Sequence, residues 1–411
     1  MQILFIHPNF PAQFGHIATY LFQHYGYRCT FLTRRKAQSE YMNVLRYAPR
    51  GGATAKTHYC SRTFENYVWN SAAVFKRLLD HPDLKPDAVI AHSGFGTAAF
   101  GDHAVDCPII NYCEFFYDDS PHHQPFRPGP PEPKTRTLRS RVRNAMMLLD
   151  LHCADRGYCP TEFQRNAFPA EYQAKLATIP DPIDTDLWRP RDRTKVARKI
   201  GQFDLPENCK VVTYVTRGFE AMRGFDKFVA AADRIARARN DVVFVCIGSE
   251  KVSYGNPDDT EGYPSYKEMV LAKAGVDRSR FLFTGSLAPR DVASALALSD
   301  LHIYLTEPFV LSWSLLNALC VGCIVLASDT PPVREVISSG RNGLLFDFFD
   351  VEALAEKALD VLANPAQYAE LGAEASRRIR ARHAMNVAVP RLLGFVSDAI
   401  AARKGREITH S

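Results

Sequence analysis

Residues 301–350 constrain the fold more than any other part of the chain. Two short apolar runs, LHIYLT at 301–306 and CIVLAS at 323–328, bracket EPFVLSWSLLNALCVG, a segment of helical length. Strand, loop, helix and strand in that order make the unit of a parallel sheet, whose ligands gather at the carboxyl ends of the strands. A helix starting near Val310, Leu311 and Ser312 would point its free N–H groups and positive dipole end at that edge. Such an end holds an anion, for example a diphosphate. An ordinary βαβ unit with a water-capped helix start shows the same pattern, so the pattern alone leaves the two readings level.

The same alternation organises the rest of the chain. Apolar runs at 3–7, 27–33, 87–92, 108–113 and 176–179 predict strands of a first α/β layer. A second set follows at 210–216, 241–248, 280–284, 301–306, 323–328 and 343–348. Between them, IPDPIDTDLWRP at 179–190 breaks regular structure and is read as the connection between two domains. The 411 residues are too many for one core and suit two domains of about 200. The ten cysteines stand singly, some within apolar runs as Cys246 does, which predicts buried reduced thiols rather than zinc ligands or disulfides.

Composition narrows the class. With 46% hydrophobic and 23% charged residues the chain reads as soluble and globular. A formal charge of +5 favours phosphate-bearing ligands or an anionic surface, and no motif points to nucleic acid. The N-terminal MQILFIH reads as a first strand and not as a signal peptide. The sequence reading finds no run of 18 apolar residues, so it expects no membrane span and a cytoplasmic protein.

The chemistry-bearing residues fall where the predicted strands end. Arg217, then Arg223-Gly224, follow the strand at 210–216. Gly248-Ser249 and Thr284-Gly285-Ser286-Leu287 end the next two strands. Glu114 ends the strand at 108–113, and a carboxylate there suits sugar binding or catalysis, or else an ion pair with an arginine such as Arg143. The loop at 118–134 holds six prolines and the pair His122-His123. No carboxylate or cysteine pattern completes a metal site there, and no metal is expected. The helix that follows starts with Lys134, Arg136, Arg139, Arg141 and Arg143. It reads either as a solvated basic face or as a peripheral contact with an anionic membrane surface.

One stretch resembles a known family. It runs Pro308-Phe309-Val310-Leu311-Ser312-Trp313-Ser314-Leu315-Leu316, then through a small-residue helix to Gly322. Ala327-Ser328-Asp329, Pro332, Arg334-Glu335-Val336 and Asn342-Gly343-Leu344-Leu345 extend the likeness. Together they resemble the donor-binding half of the family 4 retaining glycosyltransferases, and within it a branch whose signature reads PFVLSWSLLEAMA. The resemblance spans nearly the whole chain. It implies a GT-B fold, two facing Rossmann-like doubly wound domains with an interdomain cleft. Residues 1–185 would form the acceptor side and 186–388 the nucleotide-sugar side, with 389–411 a helix crossing back.

The resemblance also assigns roles. Arg217, and Arg223 where the family carries a lysine, would hold the donor diphosphate, helped by the helix start at Val310, Leu311 and Ser312. Gly248, Ser286 and Leu287 would meet the base, with uracil, guanine and adenine all open. The loop PNFPAQFGH at 8–16 resembles an HQNFPGQFRH-type loop, placing Gly15 beneath the donor and leaving His16 as a substrate contact or a surface residue. Glu114 stands where many members have histidine, as in the branch's EFFY motif. Two glutamates usual in the family are replaced, the first by Phe309, as in the branch, and the second by Asn317, where the branch keeps the ribose-binding Glu. Glu307 could supply a carboxylate in their stead or be an ordinary loop acid.

The activity implied is retaining, metal-independent transfer of a hexose from a nucleoside diphosphate sugar to a glycan, glycolipid or small acceptor. No cofactor is expected beyond the donor itself. Non-catalytic nucleotide-sugar binding and sugar-nucleotide epimerisation are the alternatives.

Overall fold

The computed structural model describes residues 1–120, 125–128, 134–254 and 260–410, with side chains as far as Gly405. The pair His122-His123 lies outside the described residues. The chain divides into two compact units, Met1–Pro182 together with Met385–Ser411, and Ile183–Ala384.

The strands of the first unit are β1 (Gln2–Ile6), β2 (Arg28–Thr33), β3 (Asn43–Arg46), β4 (Ala88–His92), β5 (Ile109–Tyr112), β6 (Arg156–Cys159) and β7 (Leu176–Thr178). Among the described residues they pair in parallel in the order β3-β2-β1-β4-β5-β6-β7. Helices α1 (Gly15–Tyr25), α2 (Arg62–Leu79), α3 (Lys134–Cys153) and α4 (Glu162–Asn166) complete this part. The two-residue period of a strand explains why β1 is apolar throughout. Ile3 and Phe5 pack with Phe14, Ile17 and Leu21 on one face, while Leu4 and Ile6 pack with Val74 and Leu78 on the other.

Two strands of this sheet escape the sequence reading. β3 is a short edge strand with no fully buried residue, so it carries no apolar run. β6 contains Gly157, a poor strand former. A Cβ there would lie 2.8 Å from Leu176 and 3.1 Å from both Cys113 and Leu151, so close packing overrides propensity.

In the second unit β8 (Lys199–Ile200) and β9 (Phe203–Asp204) form a small antiparallel hairpin. The main strands are β10 (Lys210–Gly218), β11 (Val242–Ser249), β12 (Phe281–Gly285), β13 (Leu301–Tyr304), β14 (Val325–Ser328) and β15 (Leu344–Phe346). They pair in parallel in the order β12-β11-β10-β13-β14-β15. The helices are α5 (Phe225–Ala238), α6 (Tyr266–Ala274), α7 (Pro289–Ala297), α8 (Trp313–Val321), α9 (Pro331–Arg334), α10 (Val351–Ala363) and α11 (Pro365–His383). The α8 helix ends on Gly322 at φ 88°, whose N–H bonds back to Ala318 and Leu319.

The last helix, α12 (Met385–His410), belongs to the first unit. Val389, Leu392, Val396 and Ala399 recur at helical spacing and are buried against the β1 side of that core. Its stretch Met385–Gly405, with mean hydropathy 1.2, is long and apolar enough to cross a membrane by length and composition. It holds no unbroken run of 18 apolar residues and meets the test only on its average. Arg391 and Asp398 interrupt the apolar residues without lowering their average below that of a span. A core helix passes the same test, and the burial of this face accounts for its apolarity.

Both sheets reverse direction of winding at their first strand, between β1 and β4 and between β10 and β13. In a doubly wound sheet the carboxyl ends at such a point are where ligands bind.

Candidate functional site

In the second unit the turn after β10 and the loop after β13 meet at this reversal. Arg217 lies within β10, not in the loop beyond it, because the strand continues past a register shift between Val215 and Gly218. Its side chain is exposed and has no hydrogen-bond or ion-pair partner among the described residues. Arg223 behaves differently. It is only 5% exposed, and its guanidinium donates to Thr306 Oγ1 at 2.7 Å and, through two nitrogens, to the Val310 carbonyl at 3.2 Å. It also faces the rings of Tyr254 at 5.3 Å and Phe309 at 5.8 Å. The Nε–H and one Nη2–H take no part in these bonds.

The structure corrects the expected helix start. The α8 helix begins at Trp313, and Ser312 is its N-cap, accepting the Ser314 N–H at 3.3 Å. Val310 and Leu311 lie in the preceding loop, both buried. Val310 contributes a carbonyl, not an amide, because Arg223 holds it, and Tyr304 Oη accepts the Ser312 N–H at 3.1 Å. Asn317, on the second turn of α8, is half-buried and makes no side-chain hydrogen bond among the described residues. The backbone of Glu307 donates to Met222 O at 2.9 Å, joining the two loops.

The other residues expected beside the donor are placed in different ways. A Cβ at Gly248 would meet the Thr216 carbonyl at 2.5 Å, so this glycine serves the approach of β10 and β11. Ser286 is exposed, whereas the Leu287 side chain packs into the core with Ile200 and Val211. In the first unit a Cβ at Gly15 would fall 2.3 Å from Pro11 Cβ, so Gly15 allows the loop to fold back onto its own helix.

The first unit gathers a second polar cluster at the ends of β1, β4 and β5. Glu114 follows β5 with its side chain 26% exposed. Gln13 Nε2 donates to Glu114 Oε1 at 3.3 Å and lies 3.4 Å from His92 Nε2. His92 Nε2 stands 3.6 Å from Glu114 Oε2, an ion-pair distance when the ring is protonated. His92 Nδ1 bonds the Ser93 carbonyl at 2.8 Å, which assigns the proton to Nδ1. His7 sits edge-on to His92 with ring centroids 5.0 Å apart. Arg143, the arginine considered as a partner for Glu114, instead donates to Tyr117 Oη and covers its ring at 4.1 Å. His16 bonds the Pro182 carbonyl at 3.1 Å, a role outside both of those considered for it.

Behind this cluster Asp150, buried in α3, accepts the Gly94 N–H at 2.6 Å, Tyr67 Oη at 2.7 Å and Ser93 Oγ at 3.1 Å. Burial pushes its carboxyl up to about 6, against the pull of those bonds. Gly94 (φ 83°) follows Ser93, so the carboxylate fixes the turn beside His92. The glycines of this loop serve packing, since a Cβ at Gly96 would lie 2.2 Å from Tyr67 O. On the basic face of α3, Arg139 bonds Tyr59 Oη, and Arg141, its side chain 57% exposed, pairs with Asp119.

The residues missed from sequence are His7, Gln13, His92, Asp150, Glu220 and Tyr254. His7 and His92 did carry a signal, since each is a lone polar residue closing an apolar strand run on one of two adjacent strands.

The chain is similar to known proteins. Residues 25–188 match the family model described as Glycosyl transferase family 4 group, and residues 196–378 match Glycosyl transferases group 1. Alpha-maltose-1-phosphate synthase of Mycolicibacterium smegmatis is 26% identical over 219 residues, 51% of this chain and 54% of that protein. The chain spans about half the length of the curated relatives it matches. Sucrose-phosphate synthase from Thermosynechococcus elongatus is similar with a TM-score of 0.75 at 16% identity, over 98% of this chain and 100% of that one. Anabaena Alr3699/HepE in complex with UDP and glucose gives 0.71 at 16% identity, over 97% and 100%.

Two parallel-sheet α/β domains of this likeness have the fold of the GT-B glycosyltransferase structures. More closely, the chain carries in order the family 4 and the group 1 glycosyltransferase domains.

Proposed function

We propose that the chain transfers a hexose from a nucleoside diphosphate sugar to a hydroxyl of a glycan, glycolipid or small acceptor, with retention and without a metal. The observation that carries this reading is the exposed Arg217, unpartnered among the described residues, at the reversal point of the group 1 domain. A guanidinium there meets two phosphates with a planar fork, and the unused N–H groups of Arg223 add to it. Support comes also from the Anabaena protein, whose structure holds UDP and glucose.

In this reading the diphosphate leaves as its bond to the sugar breaks, and its oxygen takes the acceptor's proton as the hydroxyl attacks from the same face. Arg217 and Arg223 stabilise the charge that develops on the leaving group. Glu114 serves the acceptor hydroxyl or the positive charge on the reacting sugar. A screen of the purified protein with UDP-, GDP- and ADP-sugars tests the reading. The true donor at a hundredfold excess over its Kd stabilises the folded state by about 2.7 kcal/mol and raises Tm. Absence of any shift with all three classes, together with no turnover, would end the proposal.

Asn317 favours a second reading, non-catalytic binding of a nucleotide sugar, since an amide replaces the carboxylate usual at that position. Asn317→Glu discriminates. A restored carboxylate accepting from two ribose hydroxyls should tighten donor binding by roughly tenfold. Unchanged affinity in calorimetry would remove Asn317 from the ribose site, and binding without turnover in both proteins would favour the second reading.

A further inference from the structure

The turn that follows β10 buries two opposite charges, and each grips a different loop. Glu220 is 1% exposed, and its Oε2 accepts the N–H groups of Ser253 at 2.9 Å and Tyr254 at 2.8 Å. Those amides belong to the loop after β11. Three residues on, Arg223 bonds Thr306 and Val310, which belong to the loop after β13. The turn itself is fixed in place. Tyr214 Oη donates to the Arg223 carbonyl at 2.6 Å, and Gly224, at φ 65°, lies so close to Leu305 that a Cβ would sit 2.7 Å from it. The two gripped loops meet over the guanidinium, where the rings of Tyr254 and Phe309 pack edge to face at 5.1 Å.

We infer that Arg223, besides the diphosphate contact proposed above, is a positioning residue that holds the segment 306–312 and with it the start of α8, while Arg217 has no such task among the described residues. The chemistry requires an arginine for this. Two nitrogens in one plane reach the Val310 carbonyl while one of them also reaches Thr306 Oγ1. A lysine offers a single nitrogen on a flexible stem and so loses the planar two-nitrogen grip on the Val310 carbonyl. If charge alone mattered, Lys would serve as well at either position. The link from segment to ligand rests on the nucleotide-sugar reading above; the grip on the segment does not.

The test compares Arg223→Lys with Arg217→Lys, both of which keep the charge. Hydrogen exchange is measured on the ligand-free full chain. In Arg223→Lys the amides of 306–312 should exchange roughly tenfold faster, as expected for the loss of about one net hydrogen bond from a local opening. In Arg217→Lys they should exchange as in the wild type. Thr306→Val leaves the arginine in place but removes its hydroxyl acceptor, together with that hydroxyl's own bond to the Glu307 carbonyl at 2.8 Å, so it should raise exchange in the same amides, and Thr306→Ser should restore protection. This pair keeps the test decisive if Arg223→Lys folds poorly. With nucleoside diphosphate as the probe, Arg223→Lys should raise Kd by a similar factor although no charge has been lost.

Wild-type exchange at 306–312 in both Arg223→Lys and Thr306→Val would overturn the assignment, as would equal effects from Arg217→Lys. The exchange measurement needs no sugar nucleotide, so it separates the two ideas. A wild-type protein that ignores every nucleoside diphosphate sinks the functional reading, while the exchange pattern still decides the role of Arg223.

Discussion

Glu114→Gln should lower kcat/KM for sugar transfer by about 10²–10⁴, the range a positioned carboxylate supplies when it moves a proton or meets developing positive charge. The substitution is close to isosteric. Gln13, which donates to Oε1, still finds an oxygen there, so the loop after β1 keeps its anchor. What disappears is the charge, and with it the ion-pair partner of His92. Affinity for the nucleotide part of the donor should stay within about twofold, because the groups proposed to hold it lie on β10 and α8. Steady-state kinetics together with calorimetric binding of the nucleoside diphosphate check both statements. Turnover within a factor of two of wild type would reduce Glu114 to a local packing residue.

Acid should destabilise the second unit through His302. This residue lies on β13 with no exposed surface, bonded through Nδ1 to Thr213 Oγ1 at 2.9 Å. Its Nε2 has no hydrogen-bond partner among the described residues. Burial alone lowers its affinity for a proton from the ordinary 6.5 to about 3. The unfolded imidazole takes a proton below 6.5 while the folded one stays neutral, so protons favour unfolding. The contribution is complete above pH 6.5 and is lost as the pH falls towards 3. Each pH unit in that window costs about 1.4 kcal/mol, which amounts to about 2 kcal/mol at pH 5. His302→Gln, uncharged at every pH, lacks this dependence. Denaturant unfolding of both proteins at pH 7.5 and pH 5 should therefore show the gap between them move by about 2 kcal/mol in favour of the variant. A constant gap would mean that the folded protein admits the proton.

The chain's local patterns made both sheets readable in advance. A parallel strand covered on two sides must be apolar along its whole length, and such runs stand out in any sequence. Strand ends were legible as well, and they put Arg217 and Glu114 at the carboxyl edge of a parallel sheet, although the strand order that locates the reversal points was not. The short strand β6 was hidden because Gly157 is favoured there by Leu176, Cys113 and Leu151, none of them a near neighbour in sequence.

Partnership could not be read in this way. Gln13, His92 and Glu114 are 79 and 101 positions apart along the chain, yet share one cluster. Arg217 and Arg223 look equivalent as letters, six apart after one strand. Only the folded chain separates them, since acceptors more than eighty residues away draw one inward and no described residue draws the other. The helix start shifted to Trp313 for the same reason, because a buried guanidinium holds Val310 by its carbonyl. Burial patterns and strand ends are written in neighbouring residues, and so were legible from the chain. Which polar group satisfies which is set by the closing of long loops, and that was decided by the tertiary structure.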